Sequence, residues 1–191
     1  MKRRDTEELI LAEALRLFNE KSASQVSTNH ICEACNISPG NLYYYFANKD
    51  EIINELFARM IQRWDDEGPP LDASLETFSA QFERIFSFLW DYRFIHRDLT
   101  YLLRENEGFR KIFHRAQKMR LAQIDQALEM FSRSGVLKKL DSEEIKRLRR
   151  ILWFFSLHWL SFLEMEGTKI VPSSVRESVL ILRTLFQPYL A

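Results

Sequence analysis

Residues Asn36 to Ile53 read N-I-S-P-G-N-L-Y-Y-Y-F-A-N-K-D-E-I-I, a segment with the signals for a tight turn, a short helix and the start of a second helix. Ser38 followed by Pro39 predicts the start of a short helix, because serine can cap a helix and proline fits its first turn. Asn48, with Glu51 three residues later, has the spacing of a capping box that opens another helix. The first of these helices is therefore only about two turns long, and a helix this short needs tertiary contacts to be stable.

The short helix is expected to have one apolar face and one polar face. Leu42 and Phe46 stand four residues apart and should face the core, whereas the three consecutive tyrosines from Tyr43 to Tyr45 cannot all be buried. Gly40 and Asn41, near the start, can bring the backbone close to a DNA groove, and tyrosine hydroxyls can hydrogen-bond phosphates. This layout is typical of the recognition helix of a helix-turn-helix motif.

The residues before Ser38 predict the first helix of the motif and its turn. Ser27 precedes the apolar rhythm of Ile31, Ala34 and Cys35, so it is expected to cap a helix that ends near Cys35. Asn36 follows where the chain must reverse, and asparagine tolerates the left-handed conformation that such a turn requires.

Cys32 and Cys35 form a C-x-x-C pair with His30 nearby, a spacing that also occurs in zinc and redox sites. A structural zinc site needs four ligands, and no second Cys or His pair lies close in the sequence. Free cysteine packs as a small hydrophobe, which suits two small-residue positions of a buried helix. We therefore expect no metal, no other cofactor and no disulfide.

The apolar residues of the 191-residue chain recur at helical spacing almost throughout. With 46% hydrophobic residues the chain can bury one sizeable core or two small continuous ones, and only five glycines interrupt it. These features predict an all-α fold of about nine helices. The N-terminal sequence does not have the pattern of a cleavable signal, so we expect a soluble protein of the bacterial cytoplasm that associates with the nucleoid when bound to DNA.

Residues 10 to 53 resemble the DNA-binding domain of TetR-family transcriptional regulators, through I-L-A-E-A-L-R-L-F-N-E at Ile10 to Glu20 and I-S-P-G-N-L-Y-Y-Y-F-A-N-K-D-E-I-I at Ile37 to Ile53. A weaker resemblance to the sensor body of one branch of that family extends from Trp90 to Arg104. The resemblance implies a three-helix DNA-binding head, a helical ligand-binding and dimerisation body, and action as a homodimer. The sequence departs from the family pattern where glycine, histidine or alanine is usual, at Ser22, Asn36, Tyr45, Cys32 and Cys35.

The clearest break in the chain is Gly68-Pro69-Pro70. It divides the sequence into a helix-turn-helix domain at residues 1–48, a linking helix at 49–68 and a helical ligand-binding and dimerisation domain at 69–191. Helices are predicted in the last domain at about 72–91, 93–105 and 107–134. One further helix is capped by Asp141, and a final helix is opened by Pro172.

The net charge is zero, so contact with DNA phosphates must depend on local clusters. Lys2 to Arg4 form a basic arm, for which a solvated, disordered terminus is an equal alternative. A chain with so few local basic residues is expected to read double-stranded DNA as a dimer, on the two half-sites of a palindromic operator. The predicted DNA-binding residues are Ser27, Thr28, Asn29, Ser38, Pro39, Gly40, Asn41, Tyr43, Tyr44, Tyr45 and Lys49. Gly40, Asn41 and Tyr44 are expected at base edges, and Thr28, Tyr43 and Lys49 at phosphates.

Aromatic residues recur at three- and four-residue spacing between Phe78 and Phe94. Such a stripe is usually core packing, but stiff rings can also leave a cavity for a small apolar effector. The candidate pocket residues are Phe82, Phe86, Trp90, His96, Tyr101, Arg104, Phe155 and His158.

The segment from Ile151 to Leu163 is apolar nearly all round, so it needs burial on two sides. It is shorter than the ~20 residues that cross a bilayer, which argues against a membrane partner. Packing against the same helices of a second copy would form a two-fold symmetric four-helix interface. The candidate interface residues are Phe155, Trp159, Phe162, Val179, Leu182 and Phe186.

Together these patterns favour a sequence-specific DNA-binding transcriptional regulator, a homodimeric repressor that a small apolar ligand releases from its operator. An enzyme is disfavoured because the sequence contains no nucleophile–base constellation, phosphate loop or metal signature, and no catalytic residue is assigned. The alternative is a helical protein-interaction module whose DNA-binding head is vestigial.

Overall fold

The computed structural model of the chain describes residues 3–68, 74–167 and 172–191, with the side chains at positions 3, 4, 75, 78, 81, 82 and 172–176 left out. The described residues form ten α-helices and one short 3-10 helix. In chain order these are α1 (Arg3–Glu20), α2 (Thr28–Cys35), α3 (Pro39–Tyr45), α4 (Lys49–Glu67), α5 (Leu75–Asp91), α6 (Arg93–Arg97), α7 (Leu99–Glu105), α8 (Glu107–Arg133), α9 (Ser142–Met165), α10 (Pro172–Phe186) and η1 (Gln187–Tyr189). The predicted all-α fold is confirmed.

The helix predicted over 93–105 is two helices, which accounts for ten helices where about nine are expected. Asp98 separates α6 from α7 with φ −96° and ψ 9°. Its Oδ2 accepts a hydrogen bond of 2.6 Å from the backbone N–H of Ala23. Because that partner lies 75 residues earlier in the chain, the local sequence does not predict the break.

Packing divides the chain into two compact units. The first contains the chain through Gln62 together with Asp91–His114, and the second contains Arg63–Trp90 together with Arg115–Ala191. Helices α4 and α8 each contribute to both units. Helices α6 and α7 therefore pack in the same unit as the helix-turn-helix helices, which we call the head. The boundaries at residues 48 and 68 are drawn by expected function and stay a prediction.

The first unit is built around aromatic contacts. The ring of Phe18 in α1 lies 5.1 Å from that of Phe94 in α6, and the ring of Phe57 in α4 lies 4.5 Å from that of Phe109 in α8. The largest fully buried side chains of this unit are Phe18, Phe94, Phe109, Ile10, Leu11, Ile31, Leu42, Ile52, Ile53 and Leu56. Helix α6 and the first part of α8 thus belong to the same core as α1 and α4.

Polar contacts between α1 and α6 reinforce that core. The Asn19 side-chain amide donates to the carbonyl of Asp91 at 2.7 Å and accepts from the N–H of Phe94 at 3.1 Å. The guanidinium of Arg97 donates to the carbonyl oxygens of Phe18 and Asn19 at the C-terminal end of α1. These bonds satisfy backbone groups at three helix ends, the C-terminal ends of α1 and α5 and the start of α6.

The second unit has two clusters of buried apolar side chains. One consists of Leu128, Phe131, Leu137, Leu140, Leu148, Leu152, Leu182 and Phe186, and the other of Phe86, Trp159, Leu160 and Leu163. The end of the chain pairs with the turn after α8, where the Lys138 N–H donates to the carbonyl of Tyr189 at 2.9 Å. Across the residues described in both units, no helix has the length and apolarity to span a membrane.

Candidate nucleic-acid interface

The start of α2 and the turn between α2 and α3 have the predicted geometry. Ser27 Oγ accepts a 3.3 Å hydrogen bond from the N–H of His30, and His30 Nδ1 accepts a 3.2 Å bond from the N–H of Ser27. Asn36 is left-handed, with φ 52° and ψ 47°, and the next N–H, of Ile37, donates to the carbonyl of Cys32 at 3.0 Å. The chain reverses here and enters α3.

Helix α3 is fixed at its start by a cap and along its inner side by burial. Ser38 Oγ accepts a 3.2 Å hydrogen bond from the N–H of Asn41, and Pro39 is the first helical residue. Leu42 has no exposed surface and Phe46 is nearly as buried. These contacts, all predicted from the sequence, hold a helix of seven residues that would not be stable alone.

The outward face of α3 is polar and aromatic. Asn41 is exposed, and Tyr43 and Tyr44 have 50% and 65% of their surface exposed. The half-buried Tyr45 lies edge-on to Tyr44, with 5.1 Å between ring centroids. A Cβ added at Gly40 would meet no atom within 4 Å, so the backbone at this point is open to an approaching partner.

The start of α2 joins the same face. Thr28 Oγ1 lies 3.2 Å from the hydroxyl of Tyr43, so two residues predicted at phosphates are in hydrogen-bond contact. Apart from Lys49, the predicted DNA-binding residues lie together at the start of α2 and on α3. Those that are exposed are Ser27, Asn29, Ser38, Pro39, Gly40, Asn41, Tyr43 and Tyr44, and those that are half-buried are Thr28 and Tyr45.

Lys49 differs from the prediction, because its ammonium group is directed into the head. Nζ donates to the carbonyl oxygens of Ala23 and Val26 at 2.7 and 3.0 Å. Burial lowers the pKa of Lys49, against the opposing effect of Asp50 and Asp98. In this structure Lys49 connects the start of α4 to the loop between α1 and α2 through these two bonds, and its contact with a phosphate stays a prediction.

The start of α4 departs slightly from the predicted capping box. Asn48 Oδ1 accepts from the N–H of Glu51 at 3.0 Å, as predicted, but Glu51 Oε2 accepts from the N–H of Ala47 at 2.7 Å, one residue before the cap. Of the basic arm, Lys2 lies outside the described residues, as do the side chains of Arg3 and Arg4.

Cys32 and Cys35 are buried free thiols in α2. Cys35 Sγ donates to the carbonyl of Leu9 at 3.8 Å. Burial raises the pKa of Cys35 to about 11 and also raises that of Cys32. Since the thiolate is the form that binds metals and attacks disulfides, both residues have the packing role that the sequence favours.

The second unit contains a cavity of about 650 Å³, a size typical of small-molecule sites. One wall is a face of α8, where Arg120, Ile124, Ala127 and Phe131 recur every three or four residues. The C-terminal end of α4, the middle of α5 and parts of α9 and α10 also line the cavity, through Trp64, Asp65, Ile85, Trp153, Ser156 and Phe186. Most of the lining is apolar.

A buried guanidinium lines this cavity at the N-terminal end of the α8 wall. The Arg120 side chain is only 4% exposed, and its Nη1 forms a 2.6 Å ion pair with Asp65 Oδ1. Nη1 also donates to Gln123 Oε1 at 2.8 Å, and the guanidinium carbon lies 4.9 Å from the centroid of the Trp64 ring. The cavity thus combines a charged, hydrogen-bonded end with apolar walls.

The pocket residues predicted from the sequence do not line this cavity. Phe86 is buried in the smaller apolar cluster of the second unit, against which Trp90 and Phe155 pack, and His158 is exposed on α9. His96, Tyr101 and Arg104 belong to the first unit, and the side chain of Phe82 lies outside the described residues. For Phe86, the structure favours the interpretation of the aromatic stripe as core packing.

The sequence prediction missed Arg120 and Asp65. Arg120 occupies the buried register of α8, four residues after Ala116 and four before Ile124, where an apolar residue is expected. An arginine within an apolar stripe was therefore an available signal. No comparable pattern distinguishes Asp65 from its neighbour Asp66.

Among the described residues, α9 and α10 carry six large apolar side chains that are exposed. We call this set the outer face, and it consists of Ile151, Phe154, Phe162, Met165, Leu180 and Leu185, which are 39% to 79% exposed. Four of the predicted interface residues, Trp159, Val179, Leu182 and Phe186, are instead buried within the second unit. Of the other two, Phe162 is exposed and Phe155 is half-buried.

Comparison with known proteins covers the whole chain. Residues 10–56 match the family described as bacterial regulatory proteins, tetR family, and residues 53–191 match the family described as bacterial transcriptional repressor, TetR. A solved TetR-family transcriptional regulator from Marinobacter aquaeolei VT8 is 32% identical with a TM-score of 0.87, covering 100% of this chain and 92% of that one.

Curated relatives are more distant. The HTH-type transcriptional repressor KstR2 of Mycobacterium tuberculosis is 25% identical over 158 residues, which is 78% of each protein. The uncharacterised HTH-type transcriptional regulator YhgD of Bacillus subtilis is 20% identical over 144 residues, covering 73% of this chain and 75% of the relative.

Proposed function

We propose, because this chain belongs to the TetR family of bacterial transcriptional regulators, that it is a homodimeric repressor which a small, largely apolar ligand releases from a palindromic operator. Members of the family are DNA-binding regulators and not enzymes. The observation that carries the proposal is the outward face of α3, a firmly held helix whose exposed side chains are polar and aromatic.

In this proposal α3 reads base edges in the major groove of DNA. The exposed amide of Asn41 offers the donor and acceptor pair that recognises adenine, and the open backbone at Gly40 permits close approach. Tyr44 is the most exposed ring of the helix and extends the reading surface. The hydroxyls of Thr28 and Tyr43, already in contact, hold a phosphate beside it. Lys49 supports the fold of the head.

The dimer forms through the outer face of α9 and α10. Large exposed apolar patches mark interaction sites, and Phe154, Met165 and Leu180 are each more than 60% exposed. A second copy covers such a patch symmetrically, because the same residues meet across a two-fold axis. Two heads related by that axis read two half-sites, which compensates for the sparse positive charge of one head.

The ligand enters the cavity of the second unit. Trp64 and Asp65 of α4 line that cavity, and the same helix begins at Lys49, shortly after α3 ends at Tyr45. A ligand that changes the contacts of Trp64 and Asp65 therefore acts on α4, the helix that follows the recognition helix. Such a protein works in the bacterial cytoplasm, on the DNA of the nucleoid.

Binding of Tyr44 variants to a DNA duplex recovered from a random-sequence selection tests the reading surface. We expect Tyr44→Ala to weaken binding about tenfold or more, since one good base contact contributes about 1–3 kcal/mol of discrimination. Met119→Ala, which removes an exposed side chain from α8, is the matched control and should bind as the wild type does. Equal affinity for Tyr44→Ala and the wild type in fluorescence anisotropy would exclude Tyr44 from the reading surface.

A further inference from the structure

We infer that the cavity of the second unit selects an elongated apolar molecule carrying a carboxylate, and that this carboxylate replaces Asp65 as the partner of Arg120. The inference rests on the proposed function, which places the effector in this cavity, and goes further by naming its chemical class and the contact that it exchanges.

The length of α8 that lines the cavity favours an elongated ligand with a polar head. Its α8 wall extends from Arg120 to Phe131, a rise of about 16 Å along the helix. The polar contacts of Arg120 lie at one end of this wall, and Ile124, Ala127 and Phe131 follow toward the other. A molecule with its polar group beside Arg120 and an apolar chain along α8 matches this order.

The charge of the lining favours an anion. The described lining carries two guanidinium groups, on Arg120 and Arg183, and one carboxylate, on Asp65, and of these three groups only the Arg120 guanidinium is buried. Arg183 is exposed and largely screened, whereas Arg120 is buried, where charge interactions are stronger. A cationic head would meet the buried guanidinium directly and be repelled by it.

The unequal burial of the ion pair makes an exchange of carboxylates feasible. The Arg120 side chain is 4% exposed and requires an anionic partner, but the Asp65 side chain is 37% exposed. When a ligand carboxylate binds the guanidinium, Asp65 can return to water at small cost. A neutral head brings no charge to balance the buried guanidinium, so it cannot replace Asp65 and gains no ion pair.

The exchange also loosens the end of α4. Arg120 holds two consecutive residues of that helix, through the ion pair with Asp65 and the cation–π contact with Trp64. Replacement of Asp65 removes the first of these contacts. Binding of the ligand is thereby linked to the helix that follows the recognition helix.

Titration of the full-length protein with decanoate, decanol and decylamine, in the absence of DNA and below micelle formation, tests the ligand class. We expect decanoate to bind about tenfold or more tightly than the other two, because only decanoate forms the charged contact with Arg120. Equal binding of decanol, tighter binding of decylamine, or no binding of any of the three in calorimetry would overturn the inference.

Two substitutions test the exchange itself. Arg120→Gln should make decanoate and decanol bind alike, with circular dichroism as the check on folding. Asp65→Asn removes the competing carboxylate from a largely exposed position and should tighten decanoate binding several-fold. Asp66→Asn is the matched control, because the neighbouring carboxylate does not line the cavity. If Asp65→Asn leaves decanoate affinity unchanged, Asp65 is not displaced, whatever Arg120→Gln does.

A DNA-release assay separates this inference from the proposed function. Decanoate that binds selectively in the cavity and lowers operator affinity supports both. If decanoate binds selectively but leaves operator affinity unchanged, the ligand class stands and ligand-controlled release fails. If decanol alone binds and releases DNA, release stands and the carboxylate is overturned.

Discussion

Single residues of the head divide into those that hold it together and those that face outward. Lys49 shows the difference most clearly, since a lysine at a helix start beside the recognition helix suggests a phosphate contact. Its Nζ instead donates to two backbone carbonyl oxygens of the preceding loop, within 2.7 to 3.0 Å. We therefore expect its loss to affect DNA binding through the stability of the head.

Lys49→Ala should lower the free energy of unfolding by about 1–3 kcal/mol, because two partly buried carbonyl groups lose a charged donor. The slope of log affinity against log salt should equal that of the wild type, since no phosphate contact is lost. Thermal unfolding and salt-dependent anisotropy measure the two effects, with Lys111→Ala, at an exposed site of α8, as the control. If the magnitude of this slope is smaller than that of the wild type by about one, Lys49 contacts a phosphate.

The local contacts of the head could be predicted from sequence and the distant ones could not. Ser27, Asn36 and Ser38 act through bonds to residues at most four positions away, and the structure confirms the two serine caps and the left-handed turn at Asn36. The partners of Lys49 lie 23 and 26 residues earlier in the chain. No pattern near Lys49 contains that information.

At the scale of helices, α1 is joined to α6 by the side chain of Asn19. This one amide both donates to the carbonyl of Asp91 and accepts from the N–H of Phe94. It explains in part why residues 91–114 pack with the head although they lie far from it in sequence.

Asn19→Ala should lower the free energy of unfolding by about 1–3 kcal/mol, because it leaves one carbonyl and one N–H without their partner. Gln25→Ala, an exposed position in the loop after α1, serves as the control. Chemical denaturation measures both variants. Equal stability of Asn19→Ala and the wild type would mean that water replaces the amide at no cost.

The start of α9 gives a prediction about pH. Hydrogen bonds from the N–H groups of Glu144 and Glu143 lower the pKa of the Asp141 carboxylate. The stabilisation by this cap should therefore be complete above the ordinary aspartate pKa of about 4 and be lost as pH falls through the lowered pKa. Asp141→Asn keeps a cap that does not titrate, so the stability difference between wild type and variant should shrink in acid. A difference that stays constant between pH 3 and 7 in urea unfolding would contradict this.

Helix existence could be predicted from sequence more readily than the faces that helices bury. Capping residues predict where α2, α3, α4 and α9 begin. The break at Asp98, in contrast, involves the N–H of Ala23, which is distant in the chain. Helix α9 is apolar on both sides, so its sequence does not distinguish the side that packs inward, with Trp159, from the side that stays exposed, with Phe154. The cavity was missed for the same reason, because its position depends on which face of α8 meets the other helices.

For the whole molecule, the outer face of α9 and α10 predicts the assembly state. Phe154→Asp places a charge where Phe154 of a second copy is expected to pack, so the variant should be monomeric and bind operator DNA more weakly. Met119→Asp makes the same change at an exposed apolar residue of α8 and should remain dimeric. Light scattering after size-exclusion chromatography gives the masses. A monomeric wild type, or a dimeric Phe154→Asp variant, would contradict the proposal that the outer face forms the dimer interface.

The central claim is that a two-fold pair of α3 helices reads DNA, and selection of bound duplexes from a random-sequence library tests it most directly. We expect enrichment of an inverted repeat whose half-sites lie about one helical turn of DNA, or a multiple of it, apart. We also expect the Tyr44→Ala variant to fail to enrich the same repeat. Enrichment of a direct repeat or a single half-site would contradict the two-fold reading. No enrichment at all would favour an interaction module with a vestigial DNA-binding head.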